Sequence, residues 1–252
     1  MTMNAASILV VDDEADTCQN LSDILGDLGY QVEVAHDGRQ AMARVTARPF
    51  DVILLDLRMP DTDGITLYRA IRQVQASAVA ILVTAYVGAG VLEQAQAAGA
   101  WKVLTKPVDF PLLLGLVERA VGQPLVLVID DDTDLCQGLW DLLRDQDYRV
   151  GLAHDVGDAV ARLEGQRYRV VLIDMKLPSG DGTAVLRRVR QAVPDARTVV
   201  VTGHREEMGG VVCQALTEGA DAVCYKPFDL PHLLATLRQL TDDRPAPSPQ
   251  EP

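Results

Sequence analysis

One long-range repeat limits what this chain can fold into. Ile8-Leu9-Val10-Val11-Asp12-Asp13 returns as Val126-Leu127-Val128-Ile129-Asp130-Asp131. Leu54-Leu55-Asp56-Leu57-Arg58-Met59-Pro60 returns as Leu172-Ile173-Asp174-Met175-Lys176-Leu177-Pro178, and Leu82-Val83-Thr84 as Val200-Val201-Thr202. Asp12 to Asp130, Asp56 to Asp174 and Thr84 to Thr202 are each 118 positions apart. Lys106-Pro107 and Lys226-Pro227 are 120 apart, so the second copy holds two more residues between its Thr and its Lys. Solenoid units repeat every 20 to 50 residues or so. A period this long means two whole domains in tandem.

The 252 residues divide accordingly, each half long enough to bury its own core. Domains are expected at 7–121 and 125–240, joined by a linker at 122–124. Residues 241–252 are polar and Pro-rich, the composition of a disordered tail. A net charge of −13 argues against a nucleic-acid binder, because no basic face offsets it. The four cysteines form no Cys-x-x-Cys pair and read as reduced, packed thiols of a cytoplasmic protein. The start, Met1-Thr2-Met3-Asn4, lacks the positive charge that opens a signal peptide. Gln73–Leu92 is uncharged but rich in Gln and Gly, so a buried strand and a loop are expected there and no membrane segment.

Continuous apolar runs recur at Ile8–Val11, Val52–Leu55, Val79–Val83 and Val103–Leu104, then at Val126–Ile129, Val170–Ile173 and Val199–Val201. Runs that do not alternate with polar residues suit strands covered on both faces of a parallel sheet. Helical stripes lie between them, such as Leu21, Ile24, Leu25 and Leu28 opposite Asp16, Asn20, Asp23 and Asp27. Asp109-Phe110-Pro111 and Asp229-Leu230-Pro231 each read as an N-cap with Pro in the first turn. Strand alternating with helix predicts an α/β fold. It means two doubly wound (βα)5 domains with five-stranded parallel sheets, for which the flavodoxin-like order 2-1-3-4-5 is the expectation taken forward.

That order has a chemical consequence. Ligands of open parallel sheets bind at the carboxyl ends of strands, where the winding reverses. Asp12, Asp13 and Asp56 follow strands 1 and 3, as do Asp130, Asp131 and Asp174, so three carboxylates converge in each half. Crowded like charges repel unless a cation holds them, and Mg2+ suits such a set of oxygens. Thr84 and Lys106, with Thr202 and Lys226, end strands 4 and 5 on the same rim. A hydroxyl and an ammonium are donors that phosphoryl oxygens require. Each element alone is commonplace, since a strand-ending Asp is usually a cap or turn residue. Their ordered recurrence at matching spacing is not.

With these residues, each half resembles the receiver domain of two-component response regulators, over roughly Ser7–Val121 and Leu125–Leu240. The resemblance implies that Asp56 and Asp174 are phosphoacceptors. A sensor histidine kinase or histidine phosphotransfer protein would be the donor, and a downstream protein the target. It implies one Mg2+ per domain, ligated by Asp13 and Asp131, assisted by Asp12 and Asp130, and completed by Asp56 and Asp174 and the backbone carbonyls of Arg58 and Lys176. It also implies that Thr84 and Thr202 bond a phosphoryl oxygen, that Lys106 and Lys226 pair with another, and that Pro107 and Pro227 follow cis peptide bonds.

Three departures and rivals bear on this reading. Receivers carry an aromatic residue three positions before the Lys, where this chain has Val103 and Val223. Alternation along the strand puts Trp101 on the same side as Val103, and its expected role is to begin the strand and pack. The pairs Arg58/Tyr86 and Lys176/His204 are expected to give the two aspartyl phosphates different lifetimes. His36 and His154 read as solvent-facing loop residues, and Asp61, Asp63, Gly64, Asp181 and Gly182 as loop and helix-start residues. A Mg2+-dependent phosphohydrolase with an aspartyl-phosphate intermediate is the alternative, but it needs an acid two residues after the nucleophile, where Arg58 and Lys176 stand. A flavodoxin-like cofactor carrier ranks lower, for Val11–Glu14 lacks a phosphate-cradling turn.

Overall fold

The computed structural model describes residues 5–60, 62–85, 90–177, 180–203, 213 and 215–242, with the backbone alone for 180–183. It divides into two compact units that part between Gln123 and Pro124, with Asp141–Val150 grouped with the first. The first runs β1 (Ser7–Val11), α1 (Ala15–Asp27), β2 (Gln31–Ala35), α2 (Gly38–Ala47), β3 (Val52–Asp56), β4 (Arg58–Met59) and β5 (Thr62–Asp63). It continues through α3 (Gly64–Val74), β6 (Val79–Thr84), α4 (Val91–Ala97), β7 (Lys102–Thr105) and α5 (Phe110–Gly122).

β1, β3 and β6 are buried at every position, as the unbroken apolar runs require. They lie in a parallel five-stranded sheet ordered β2-β1-β3-β6-β7. Alternate residues feed opposite faces. Leu9, Val11, Ile53, Leu55 and Leu82 meet one helical layer that includes Tyr68 and Ile71 of α3. Ile8, Val10, Leu54 and Ile81 meet the other, with Cys18 and Leu25 of α1 and Leu113 and Val117 of α5. Burying each such aliphatic side chain contributes about 1.5–3 kcal/mol. Short polar residues set the helix starts. Asp37, Asp63 and Asp109 each accept a backbone N–H of the first turn of α2, α3 and α5.

The second unit repeats the scheme with β8 (Leu125–Ile129), α6 (Thr133–Arg144), β9 (Arg149–Ala153), α7 (Val156–Gly165), β10 (Val170–Asp174), β11 (Lys176–Leu177) and β12 (Gly180–Asp181). Then come α8 (Gly182–Ala192), β13 (Arg197–Thr202), β14 (Ala222–Tyr225) and α9 (Leu230–Asp242). Its sheet is ordered β9-β8-β10-β13-β14. Both sheets thus have the order 2-1-3-4-5, and each is a flavodoxin-like doubly wound sheet. No helix among the described residues is long and apolar enough to cross a membrane.

Three expectations need correction. Leu28 is not part of the buried stripe of α1: it is the C-cap residue, 57% exposed, because the helix has already ended at Asp27. Trp101 does not share a side with Val103. It sits at a bend before β7 and packs with Leu104 on the α1/α5 face, while Val103 packs on the opposite one. Strand alternation does not extend into a residue that precedes the strand. Thr241 and Asp242, expected in the tail, belong to α9, where the Thr241 hydroxyl donates to the Leu237 carbonyl. The rest of the expected tail, with Asp61, Tyr86 and His204, lies outside the described residues.

Candidate functional site

Parallel strands in register end together, and this brings the acids to one rim. Asp12 is the residue after β1, Asp56 ends β3, Thr84 ends β6 and Lys106 follows β7. Pairing of Val11 with Leu55, Asp56 with Val83, and Thr84 with Thr105 sets them side by side. Asp130, Asp174, Thr202 and Lys226 take the corresponding places in the second unit.

In each unit the three acids form a group that could hold a metal ion. Ligand atoms of Asp12, Asp13 and Asp56 lie within 4.8 Å of one another, as do those of Asp130, Asp131 and Asp174. Asp12, Asp56 and Thr84, like Asp130, Asp174 and Thr202, are almost wholly enclosed, whereas Asp13 and Asp131 are exposed. Such a pocket of carboxylates would be unstable without positive charge. Lys106 Nζ lies 2.9 Å from Asp12 and 2.6 Å from Asp56. Lys226 Nζ lies 2.6 Å from Asp130 and 2.9 Å from Asp174.

Backbone amides orient the remaining carboxylate oxygens. Asp12 accepts from Glu14 N at 2.9 Å and Asp56 from Arg58 N at 2.9 Å. Asp130 accepts from Asp132 N and Asp174 from Lys176 N, each at 3.1 Å. The lysines are held from behind, since Lys106 N donates to Thr84 O and Lys226 N to Thr202 O, both at 2.8 Å. Both Lys-Pro bonds, Lys106–Pro107 and Lys226–Pro227, are cis.

The charges follow from these contacts. Burial works to lower the Lys106 and Lys226 pKa, but bonds and attraction from the two acids each one touches raise it overall. Asp130 is raised, first by burial and further by the charge of Asp174, against the opposing pull of Lys226 and the Asp132 amide. The Thr202 hydroxyl oxygen is buried with no hydrogen-bond partner among the described residues. A buried unpaired hydroxyl at the rim of an acid pocket is a donor with its acceptor still to come.

Cys18 and Cys136 are packed thiols and His36 and His154 are exposed loop residues, as expected, and all four also reach the site. Cys18 Sγ donates to the Asp12 carbonyl at 3.2 Å, and His36 Nδ1 lies 3.4 Å from the same oxygen. Cys136 Sγ and His154 Nδ1 reach the Asp130 carbonyl at 3.4 and 3.1 Å. Burial first, then the neighbouring Asp charges, pushes the Cys18 thiol up to about 11 and the Cys136 thiol to about 12, so both keep the proton they donate. The available signal was the repeat itself: Cys18 and Cys136, and His36 and His154, stand at the same 118-residue offset as the acids.

A doubly wound sheet with an acid triad and a lysine at its carboxyl rim, present twice, defines a class of signalling domain rather than a particular protein. The response regulator receiver domain matches residues 8–118 and 126–238. A response regulator receiver protein of Anaeromyxobacter sp. (strain Fw109-5) is 34% identical over 236 residues, covering 94% of this chain and 95% of that protein. The transcriptional regulatory protein ZraR of Escherichia coli O157:H7 is 36% identical over 133 residues, which are 53% of this chain and 30% of that protein. The crystal structure of the Vibrio cholerae chemotaxis protein CheY4 is 33% identical, with a TM-score of 0.44 over 46% of this chain and 99% of that one. The chain belongs to the response regulator receiver family and carries two receiver domains in tandem. It is a component of two-component signalling and not an enzyme with a separate substrate, and the family implies a histidine kinase as partner.

Proposed function

We propose that each receiver takes a phosphoryl group from a phosphohistidine of a sensor histidine kinase or histidine phosphotransfer protein, on Asp56 in the first unit and on Asp174 in the second. The observation that carries this reading is the lysine shared by two acids in both units, which leaves a carboxylate oriented by a backbone amide beside a fixed cation. A carboxylate oxygen would form the O–P bond as the P–N bond of the donor breaks, and the donor imidazole keeps the electron pair and takes a proton. Lys106 or Lys226 would offset charge on the transferring oxygens, and the buried hydroxyl of Thr202, with Thr84 in its place in the first unit, would donate to the product.

The donor set fits Mg2+, one ion per receiver. Three carboxylates are hard oxygen ligands, and octahedral Mg2+ spans about 4.2 Å between opposite oxygens, close to the spread of 4.8 Å or less in each triad. Asp13 and Asp131 would bind directly, Asp12 and Asp130 would assist, and Asp56, Asp174 and the carbonyls of Arg58 and Lys176 would complete the set. When bound, the ion supplies further positive charge at the phosphoryl oxygens. The chain then signals by protein contact, within the cytoplasm and without nucleic acid or membrane. Its net charge of −13 argues against a nucleic-acid partner.

Intact-mass measurement after incubation with acetyl phosphate and Mg2+ tests the reading. Two phosphates per chain are expected, one in Asp56→Asn or Asp174→Asn, and none in the double variant, the adduct being base-labile. Unmodified protein, or steady release of phosphate that survives both substitutions, would remove it.

A further inference from the structure

Both units grip the carbonyl of the first acid in the same way. The Asp12 oxygen meets the Cys18 thiol and the His36 imidazole, and the Asp130 oxygen meets the Cys136 thiol and the His154 imidazole. The thiols come from α1 and α6, and the imidazoles follow β2 and β9, so each carbonyl is held from two separate elements. A carbonyl has two lone pairs and no proton to give, so each imidazole donates from Nδ1–H.

That carbonyl belongs to the peptide joining the paired acids, Asp12 to Asp13 and Asp130 to Asp131. The Asp12 and Asp130 carboxylates have their own tethers, an amide two residues on and the lysine ammonium. Asp13 and Asp131 are exposed, and each branches from the Cα next after the clamped peptide. Turning that peptide plane turns the second carboxylate out of the triad. Both histidines are also exposed, so they are poor candidates for a packing role.

We infer that His36 and His154, together with Cys18 and Cys136, are positioning residues that clamp the peptide between the paired acids and so pre-set Asp13 and Asp131 for a divalent cation. This rests on the receiver reading above, and it adds a second layer behind the acids themselves. Groups that orient metal ligands commonly govern affinity by about 10–100-fold. The His154 bond, at 3.1 Å, is the better of the two, and the 3.4 Å contact of His36 is longer than an ordinary N–H···O bond. The second site therefore depends on its histidine more than the first.

The test is calorimetric titration of the full chain with MgCl2, in an Asp13→Asn background that leaves the second site as the one titrated. His154→Leu is expected to weaken Mg2+ about tenfold. His154→Asn, whose amide N–H falls where Nδ1–H stood, should restore affinity, while His154→Gln, which places its amide further out, should not. In an Asp131→Asn background, His36→Leu should give a smaller loss. The melting temperature in EDTA should stay the same in all of them. An unchanged dissociation constant in His154→Leu overturns the inference, as does a loss that Asn fails to rescue and that tracks a fall in the EDTA melting temperature. Failure of the unsubstituted chain to bind Mg2+ removes the receiver reading itself, before any histidine is changed.

Discussion

The Lys106 ammonium stands 2.6 Å from the Asp56 carboxylate and is shared with Asp12 at 2.9 Å, so one cation ties the carboxyl ends of β7, β3 and β1. Removing it leaves two enclosed carboxylates facing each other. Lys106→Met is expected to cut phosphate incorporation at Asp56 by about 100-fold, the usual effect of deleting one donor to developing oxyanion charge. Asp174 in the same chain serves as the internal control. Mapping the phosphate to each aspartate by peptide mass spectrometry checks both halves of the expectation. Denaturation in EDTA should also show a loss of about 2 kcal/mol. That is below the range for breaking a fully buried pair, because the lysine is partly exposed.

Gly64 holds the strand end that carries Asp56. A Cβ at this position would lie 2.6 Å from both the Asp56 carbonyl oxygen and the Leu57 Cα, which are backbone atoms that cannot turn aside. The Gly64 amide also donates to the Leu57 carbonyl at 3.1 Å. Gly64→Ala is therefore expected to cost about 1–3 kcal/mol, the range for forced overpacking, and to displace the Asp56 peptide. Urea denaturation reads the first effect, and the rate of phosphate uptake at Asp56 the second. Gly115→Ala is the control, since its added Cβ meets nothing within 4 Å and it lies on α5, where Ala is the better helix former.

Most of the sheet was legible because strands covered on both faces leave an unmistakable mark. The run Val79–Val83 falls inside β6, and Val52–Leu55 inside β3. The acid triads were legible for the same reason, since the position of a carboxylate at the end of a buried run fixes its rim. What was not legible lies where periodicity stops. Leu28 keeps the spacing of the stripe but follows the last helical turn, and Trp101 stands at a bend that resets the alternation. His36 and His154 were read as loop residues because the contact they make is with a backbone oxygen, which no side-chain pattern records.

Asp221 is another group that spacing did not single out, and it is expected to make the stability of the second unit respond to acid. It accepts from the Thr198 amide at 2.8 Å, the Thr198 hydroxyl at 3.1 Å, Arg197 at 3.0 Å and Arg190 at 3.1 Å. Burial acts to raise its pKa, but the Thr198 amide and the two guanidinium groups outweigh burial and hold it below the usual carboxylate range. An Asp lowered on folding stabilises above the unfolded value of about 3.9 and loses that contribution as pH falls through the folded value. Asp221→Asn is expected to cost about 2 kcal/mol at pH 7, the scale of a hydrogen bond to a charged group. The gap between variant and parent should narrow as the pH drops below about 4. Thermal melts of both proteins across that range measure the gap directly. A gap that stays constant with pH would mean that the carboxylate charge is not what Thr198 and the arginines recognise.

Mg2+ should stabilise each unit through its own triad. The acids are brought together by folding, so the ion binds the native state and not the separated chain, and stability rises with the logarithm of its concentration. At a concentration 100 times the dissociation constant the gain is about 2.7 kcal/mol for the unit concerned. Lys106 and Lys226 already offset part of the charge, and the ion has to add to that balance without displacing either lysine from its acids. The gain should therefore fall less in high NaCl than that of a surface ion pair, because two of the three acids in each triad are enclosed and screened less. Asp13→Asn should abolish the rise for the first unit and Asp131→Asn for the second, with the double variant insensitive to MgCl2. Differential scanning calorimetry with MgCl2, with CaCl2 and with EDTA distinguishes these cases. A shift of equal size in the double variant would place the ion elsewhere on this acidic surface and detach it from the triads.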